Sequence, residues 1–307
     1  MIFRIVTAVG AIALATSGVA SAGPALRPAA VIEANKVVDW NANVDGNPAV
    51  YRIGALTITL GSRLEAPLPN TVGQDEVADP VVTVRAGGKI VARVRGAGYE
   101  DVAHADFAVS HIDPGADGPA VITSSYTGGA HCCYDIKFVE QVKGRWRTID
   151  AGSWDGEFDL LPADVDGDGV RDYVQKDGSF DYAFTSYAGS DGPPRIFDVI
   201  NGQWRDVSNS ERFRKLFEAK MASKEEACRE HDNGACATFV ASAARIGKLT
   251  WAWQVMLSSY DKNWLNGYAY DIGNGGRPFK NLPSALLPFL VRTGYISSSA
   301  ARTLPIE

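Results

Sequence analysis

The sequence has 307 residues, of which 46% are hydrophobic and 21% are charged, as expected for a chain that buries a core. Acidic residues outnumber basic residues by 36 to 30, which gives a formal net charge of −6. No stretch carries a basic stripe, so we expect no nucleic-acid partner. The length exceeds that of one typical domain and predicts one large domain or two modest ones.

The first 22 residues have the pattern of a secretory signal peptide. Arg4 is followed by an apolar run over 5–15 and by the small residues Ala20–Ala22, so we expect cleavage after Ala22. The apolar run is too short for a membrane span, which needs about 20 residues, and no later segment is apolar enough. We therefore expect a mature protein without a membrane span, in the periplasm or outside the cell.

Residues 23–207 are predicted to form a β-rich domain. Short apolar runs alternate with Gly, Asp and Pro, which is typical of strands joined by turns. Gly87-Gly88 and Lys143-Gly144 stand where two-residue hairpin turns belong, and segment 61–80 reads as a loop. The expected strands cover 50–60, 81–96, 120–126, 134–142, 145–150 and 182–188.

Residues 208–307 are predicted to form a smaller helical domain. Capping-box patterns occur at 208–211 and 223–226, and Gly247 separates two helical patterns that read as an antiparallel helical hairpin. The predicted fold class is therefore α+β. An antiparallel β-rich N-terminal domain, like a propeller blade or a sandwich, precedes a small α-helical domain.

A weak internal repeat runs through the β-rich part, with a period of about 50–60 residues that is typical of propellers and sandwiches. Each unit contains an acidic loop, a Ser-Tyr-x-Gly turn and a Gly-x-Trp-Arg strand. So few units cannot close a normal propeller, which favours an open or sandwich-like arrangement. The matched segments are DPGADG (113–118) with DVDGDG (164–169), SSYTGG (124–129) with TSYAGS (185–190), and KGRWRTI (143–149) with NGQWRDV (201–207).

The acidic loop of the second unit, ADVDGDGVRDYV, carries the most definite chemical signal in the chain. Four carboxylates so close together would repel one another without a cation, and Ca²⁺ prefers six to eight oxygen ligands. Gly169 permits the sharp turn that returns the later ligands to the ion. A solvated Asp/Gly turn is the alternative. The loop residues in the calcium pattern are Asp164, Asp166, Asp168, Asp172 and, through its carbonyl, Val170.

This loop resembles the D-x-D-G-D-G-x-x-D element of FG-GAP and VCBS repeats, found in integrin-like propellers and many bacterial exported proteins. An EF-hand is disfavoured because Gln175 stands where that loop requires Glu. The resemblance implies a structural Ca²⁺ that is bound by the loop residues named above and that links two strands. The related loop at 113–118 lacks two of the carboxylates, so we expect no metal there.

The stretch YTGGAHCCYD (126–135) is the candidate ligand-binding loop, with His131, Cys132 and Cys133. Copper or zinc is disfavoured, because three consecutive residues rarely converge on one ion. In an exported protein the four cysteines favour disulfides. Either Cys228 pairs with Cys236, which leaves Cys132 and Cys133 for each other, or the two clusters cross-pair. A tight turn held by a disulfide is the simpler interpretation of the stretch.

These patterns favour an exported, calcium-stabilised binding or adhesion-type module of the cell envelope, with a glycan or protein ligand near the 126–135 loop. A hydrolase of an envelope polymer is the alternative, using carboxylates such as Asp155 or Glu157 of the segment that also contains Asp159. A redox or metal-handling protein centred on His131-Cys132-Cys133 is a third hypothesis. No G-x-S-x-G or H-E-x-x-H motif occurs. Trp146, Trp154 and Trp204 read as core residues more simply than as sugar-stacking ones.

Overall fold

The computed structural model describes residues 28–65, 77–98, 102–128, 133–156, 158–263 and 279–306. The strands are β1 Ala30–Val31, β2 Val37–Asn41, β3 Ala49–Ile53, β4 Leu56–Glu65, β5 Val77–Ala86, β6 Lys89–Arg95, β7 His104–Ser110, β8 Ala120–Tyr126, β9 Tyr134–Val142, β10 Arg145–Trp154, β11 Tyr173–Lys176, β12 Pro194–Val199 and β13 Trp204–Asp206. The helices are α1 Ala42–Asp45, α2 Arg214–Arg229, α3 Asn233–Arg245, α4 Leu249–Ser259, α5 Leu282–Arg292 and α6 Ser298–Ala301.

The strands form three sheets. The first sheet has the order β1-β3-β4-β5-β6, the second β10-β9-β8-β7-β2, and the third β11-β12-β13. Among the described strands every pairing is antiparallel except that of β1 with β3. The predicted fold class, an antiparallel β-rich region followed by a helical one, is confirmed.

The second sheet is buried on both faces, which makes it the centre of the molecule. Phe107 and Val109 pack with Ile58 and Val84 of the first sheet. Ala108, between them on β7, packs with the cluster formed against the third sheet. Since successive side chains of a strand point to opposite faces, the first and second sheets form a sandwich and the third covers its outer side.

The third sheet lies between the second sheet and the helices. Phe197 and Val199 of β12 pack with Phe138 of the second sheet, whereas Ile196 packs with the helical cluster around Phe239 and Trp253. Asp198 has the same parity as Ile196 along the strand and so faces the helical side. The packing therefore directs a carboxylate toward the start of the helices.

The two predicted hairpin turns are present. Gly87 and Gly88 have φ of +56° and +79°, and Lys143 and Gly144 have φ of +51° and +73°. Both central residues are thus left-handed, which suits the twist of the strands that they join. Residues 50–60, predicted as one strand, form the hairpin β3–β4 instead, because Gly54 turns the chain with φ of +52°.

Four other local predictions are wrong. Residues 61–65 and 77–80, predicted as loop, belong to β4 and β5. Ser208 caps no helix, because its Oγ accepts a hydrogen bond from the amide of Ile196 at 2.8 Å.

Residues 182–188 form turns and part of a 3₁₀-helix rather than a strand, because Phe184 packs into the helical cluster. Ser223 caps no helix: it lies inside α2, and its hydroxyl donates to the carbonyl of Lys220 at 2.8 Å. The predicted helical hairpin is present as α3 and α4, with Gly247 at φ of +75° between them.

The internal repeat corresponds to repeated topology. β8, β9 and β10 form an antiparallel meander after the loop at 113–118, and β11, β12 and β13 form another after the loop at 164–172. The repeat therefore places the two acidic loops at equivalent ends of two stacked meanders.

The bond between Cys228 and Cys236 joins α2 to α3, with the two Cα atoms 4.4 Å apart. Both side chains are completely buried. Closing so short a loop stabilises a fold by about 2–3 kcal/mol in the chain-entropy account. We expect the double variant C228A/C236A to lose at least that much free energy of unfolding in urea denaturation. A variant as stable as the wild type would contradict this role.

Candidate functional site

The aspartate loop is closed by its own backbone amides. Oδ1 of Asp164 accepts a hydrogen bond from the amide of Gly167 at 2.7 Å, and Oδ2 accepts one from Gly169 at 2.9 Å. The two glycines have φ of +83° and +87°, a conformation that few other residues adopt. The hydrogen bond from Gly169 is the main cause that lowers the pKa of Asp164, and the one from Gly167 lowers it further. The loop therefore favours the ionised form of Asp164 at its N-terminal end.

The loop brings together three of the four predicted carboxylates. Oxygens of Asp164, Asp166 and Asp172 all lie within 4.8 Å of one another. Asp168 does not belong to this group: one of its oxygens accepts from the amide of Val170 at 2.8 Å, and the other contacts Arg212. Val170, whose carbonyl is the other predicted ligand, is half-buried.

Asp172, at the end of the loop, is paired with the buried Asp198 of β12. The two residues are 1% and 0% exposed. Oδ2 of Asp172 accepts from the amide of Val165 at 2.8 Å, but its Oδ1 and the Oδ1 of Asp198 are buried without a hydrogen-bond partner. Burial is the main cause that raises the pKa of Asp172. Burial first, and then the neighbouring Asp172, raise the pKa of Asp198 to about 6.

Arg212, just before α2, supplies the positive charge of this cluster. Its Nε lies 3.0 Å from Oδ2 of Asp166, although that oxygen accepts no well-aligned hydrogen bond. Its two Nη atoms contact Asp168 and Asp198. One guanidinium therefore joins the loop, the middle strand of the third sheet and the start of the helices.

The cluster keeps a surplus of negative charge. Five carboxylates lie together here, those of Asp164, Asp166, Asp168, Asp172 and Asp198. Arg212, the cation of the cluster among the described residues, contacts only three of them, Asp166, Asp168 and Asp198. Carboxylates whose oxygens lie within 4.8 Å of one another repel, and the repulsion grows where they are shielded from water. The surplus is large enough that a bound proton or a metal ion would stabilise the site.

The sequence analysis missed Asp198 and Arg212. Asp198 is an acidic residue between the apolar Phe197 and Val199, which is unusual in a strand buried on both faces. It also aligns with Glu140 when the two Gly-x-Trp-Arg segments are superposed. Arg212 gives no local signal, since an arginine near a helix start is ordinary.

The first repeat unit has a different acidic pair, Asp113 and Glu140. Asp113 accepts hydrogen bonds from the amides of Gly115 and Gly202, each at 2.7 Å, so its own loop and the β12–β13 hairpin satisfy both oxygens. Glu140 is completely buried, and neither of its carboxyl oxygens has a hydrogen-bond partner. Burial first, and then the charge of Asp113, raise the pKa of Glu140 to about 8.

The candidate ligand-binding loop is described only at its ends. His131 and Cys132 lie outside the described residues. Cys133 is disulfide-bonded, and its amide donates to Oγ1 of Thr127 at 3.0 Å. Since Cys228 is bonded to Cys236, the alternative of cross-pairing is wrong. No described cysteine is free, which leaves the redox and metal-handling hypothesis without a thiolate in the described part of the loop.

A cleft of about 400 Å³ adjoins Cys133. It lies between the end of β10 and the segment that follows β11, and its surface is polar and apolar in equal parts. Arg195 of β12 closes one side. Its lining also includes Trp154, Asp155, Lys176, Ser179 and Asp181.

The carboxylates proposed for hydrolysis are only partly described. Asp155 lines the cleft and accepts a hydrogen bond from the hydroxyl of Tyr187 at 2.8 Å. That hydrogen bond is the main cause that raises the pKa of Tyr187 to about 12. Glu157 lies outside the described residues. The structure therefore gives Asp155 a structural partner and shows no catalytic pair in the part that it describes.

The tryptophans pack as core residues. Trp204 is stacked on Phe197 with ring centroids 4.9 Å apart, and Trp154 meets Phe197 edge-on at 5.1 Å. Trp146 packs against the core of the sandwich. The interpretation of these residues as core is confirmed, although Trp154 also borders the cleft.

Comparison with known proteins places the chain in a family. Residues 210–294 match the model of the sll0997 C-terminal domain. The chain is 36% identical over 235 residues to the probable thylakoid lumen protein sll0997 of Synechocystis, a match that covers 71% of this chain and 68% of the relative. The chain belongs to the sll0997 family.

A second relative is more distant. The uncharacterized protein y4bJ of Sinorhizobium fredii is 28% identical over 273 residues, covering 84% of this chain but 42% of y4bJ. No solved structure shows a significant match to the chain. The thylakoid lumen is a compartment reached by export, so the sll0997 relative supports an exported protein at this coarse level. None of the helices described here has both the length and the hydropathy to cross a membrane.

Replacing Arg212 tests the charge balance of the cluster. We expect Arg212→Met to lower the free energy of unfolding by about 3 kcal/mol in a chelator, because it leaves the buried Asp198 without its cation. Arg229→Met is the matched control: it breaks an exposed pair with Glu225 and should cost about 0.5 kcal/mol or less. Equal losses in urea denaturation would contradict the role of Arg212.

Glu140 makes stability depend on pH. Its pKa is about 8 in the folded chain and near 4.5 when unfolded, so between these values the folded state binds the extra proton. This contribution is fully present below about pH 4.5 and is lost as the pH rises toward 8. We expect Glu140→Gln to flatten this decline, measured by urea denaturation from pH 5 to 8.5. A variant that declines as steeply as the wild type would refute the assignment to Glu140.

Proposed function

We propose that this chain is an exported, calcium-stabilised binding module of the cell envelope. The observation that carries the proposal is the set of buried carboxylate oxygens without hydrogen-bond partners, on Asp166, Asp172 and Asp198. Arg212 offsets part of the charge of Asp166 and Asp198, but a buried carboxylate oxygen without a hydrogen bond still costs free energy. A hard cation with oxygen ligands removes that cost. The donors here are oxygens alone, which favours Ca²⁺ over softer metals.

In this proposal Asp164, Asp166 and Asp172 hold the ion, since their oxygens already lie close together. Asp168 and the carbonyl of Val170 complete the ligand set, and the loop is of the FG-GAP/VCBS type. Asp198 does not bind the ion in this proposal, but it contacts Asp172, which does. The ion supplies positive charge where Arg212 alone leaves a surplus of negative charge.

The proposed role of the ion is structural. The loop precedes β11, and Arg212 connects it to β12 and to the start of α2. A cation that neutralises the loop would therefore strengthen the contact between the third sheet and the helices. It would also fix the walls of the cleft that follow β11, without taking part in a reaction.

The proposed ligand is a glycan or protein of the cell envelope, in the periplasm or outside the cell. Two observations support binding at the cleft beside Cys133. The cleft borders the 126–135 loop, and it offers hydrogen-bonding groups of both charges, such as Asp155, Lys176 and Arg195. The lumenal relative supports an exported compartment for this module.

Calcium should raise the melting temperature of the protein. At a Ca²⁺ concentration 100 times the Kd, linkage predicts about 2.7 kcal/mol of added stability, or a shift of roughly 5 °C for a chain of this size. Mg²⁺ at the same concentration should have little effect, because it keeps its waters and demands octahedral geometry. Differential scanning calorimetry with chelator, Ca²⁺ and Mg²⁺ measures these shifts.

The variants Asp172→Asn and Asp117→Asn test which of the two acidic loops binds Ca²⁺. Asp172→Asn should abolish the Ca²⁺ shift, and it should not unfold the metal-free protein, since it removes a charge beside Asp198. Asp117→Asn should keep the full shift, because the exposed Asp117 belongs to the first loop. No Ca²⁺ shift in the wild type, or a full shift in Asp172→Asn, would defeat the proposal.

A further inference from the structure

A second cleft, of about 260 Å³, lies where the third sheet meets the C-terminal ends of α3 and α5. It continues the cleft beside Cys133, because Asp177, Ser179 and Arg195 line both. Its distinctive feature is three guanidinium groups, one from the sheet and one from each helix end. The lining residues are Asp177, Ser179, Arg195, Asp206, Ser208, Arg245, Arg292, Thr293 and Tyr295.

The carboxylates of this cleft are already engaged. Asp177 is 6% exposed and accepts hydrogen bonds from the hydroxyl of Tyr295 at 2.8 Å and from the amide of Ser179 at 3.0 Å. Asp206 accepts from Nε of Arg195 and from the amide of Ser208, each at 3.0 Å. Neither carboxylate contacts Arg245 or Arg292 among the described ion pairs.

Arg245 and Arg292 retain unused donors. The guanidinium of Arg245 lies 4.3 Å from the ring centroid of Tyr295 and donates to Asn209, but its Nε is buried without a partner. The guanidinium of Arg292 lies 5.6 Å from the ring centroid of Phe289 and has no carboxylate partner in the described part of the chain. Arg245 is half-buried and Arg292 is exposed, so Nη donors of both can meet an acceptor that enters the cleft.

A purely structural role explains only part of this arrangement. Arginines in the last turn of a helix offset the negative end of its dipole, and α3 and α5 end at these residues. That role needs neither a cleft nor two arginines, from different helix ends, that line the same cleft. The convergence of two unpaired guanidinium groups on one concave surface is what carboxylate or phosphate recognition requires.

We propose that this cleft binds the oxyanion group of a ligand, a carboxylate or a phosphate, through Arg245 and Arg292. Arg195 stays with Asp206 and closes the wall between the two clefts. A ligand that continues past Arg195 would lie along Trp154 and Asp155 in the neighbouring cleft. The inference rests on the proposed binding function, to which it adds the chemical class of the ligand, and it does not depend on calcium.

Isothermal titration of the full chain with three probes tests the proposal. Inorganic phosphate represents a phosphate source, glucuronate a carboxylate on a sugar, and glucose the same sugar without the charge. We expect binding of phosphate, of glucuronate, or of both, and none of glucose. Phosphate alone or glucuronate alone supports the site and identifies the source of the oxyanion. Binding of neither anion, or equal binding of glucose, overturns it.

Variants of Arg292 locate the binding. Arg292→Gln should weaken anion binding at least about tenfold, because it removes a charge-assisted bidentate contact. Arg292→Lys keeps the charge but loses the bidentate geometry of the guanidinium, so its affinity for the anion should lie between those of the wild type and Arg292→Gln. Arg302→Gln removes an equal charge from an exposed position outside the cleft and should bind as the wild type does. Anion binding that survives unchanged in Arg292→Gln would overturn the assignment.

The same proteins separate this inference from the calcium proposal. Arg292→Gln should keep the full Ca²⁺ shift in melting temperature, which also shows that the variant is folded. Should Arg292→Gln fail to fold, loss of binding in Arg292→Lys relative to Arg302→Gln tests the same contact. Asp172→Asn should bind the anion as the wild type does. Loss of anion binding in Asp172→Asn would contradict the claim that the cleft works without calcium.

Discussion

The buried carboxylate of Asp198 is the constraint on which the arrangement around the third sheet depends. Strand alternation places Phe197 and Val199 against the second sheet, so Asp198 must face the helices. A completely buried carboxylate has to share a proton, meet a cation or be hydrogen-bonded. Arg212 provides the cation, and its position just before α2 fixes where the helical part begins to pack.

The comparison between the two repeat units shows how the same geometry can be used in two ways. In the first unit, amides of Gly115 and Gly202 satisfy Asp113, and Glu140 stays protonated over a wide pH range. In the second unit the extra aspartates leave too few donors, although Arg212 contacts three carboxylates. Backbone amides thus complete the first loop, while the second retains a need for positive charge.

Local chemistry predicted the features that depend on a few neighbouring residues. The turns at Gly87-Gly88 and Lys143-Gly144 follow from residues that tolerate positive φ, and Gly167 and Gly169 shape the aspartate loop in the same way. Residues 182–188 were predicted wrongly because Phe184 is held by helices that come later in the chain. The partnership of Asp198 with Arg212 also depends on the packing of separate elements, which no local pattern contains.

The third sheet borders one site with surplus negative charge and another with surplus positive charge. The aspartate loop before β11 has more carboxylates than Arg212 can neutralise, whereas Arg245 and Arg292 beyond β12 have no carboxylate partner among the residues that the structure describes. Pairing would stabilise the buried carboxylates of Asp172 and Asp198 most, because unpaired charge is costly where it is buried. The sheet separates the two sites instead, with Asp177 and Asp206 engaged elsewhere. In the functions that we propose, each surplus is one half of an interaction whose other half, a cation in one place and an anion in the other, comes from outside the chain.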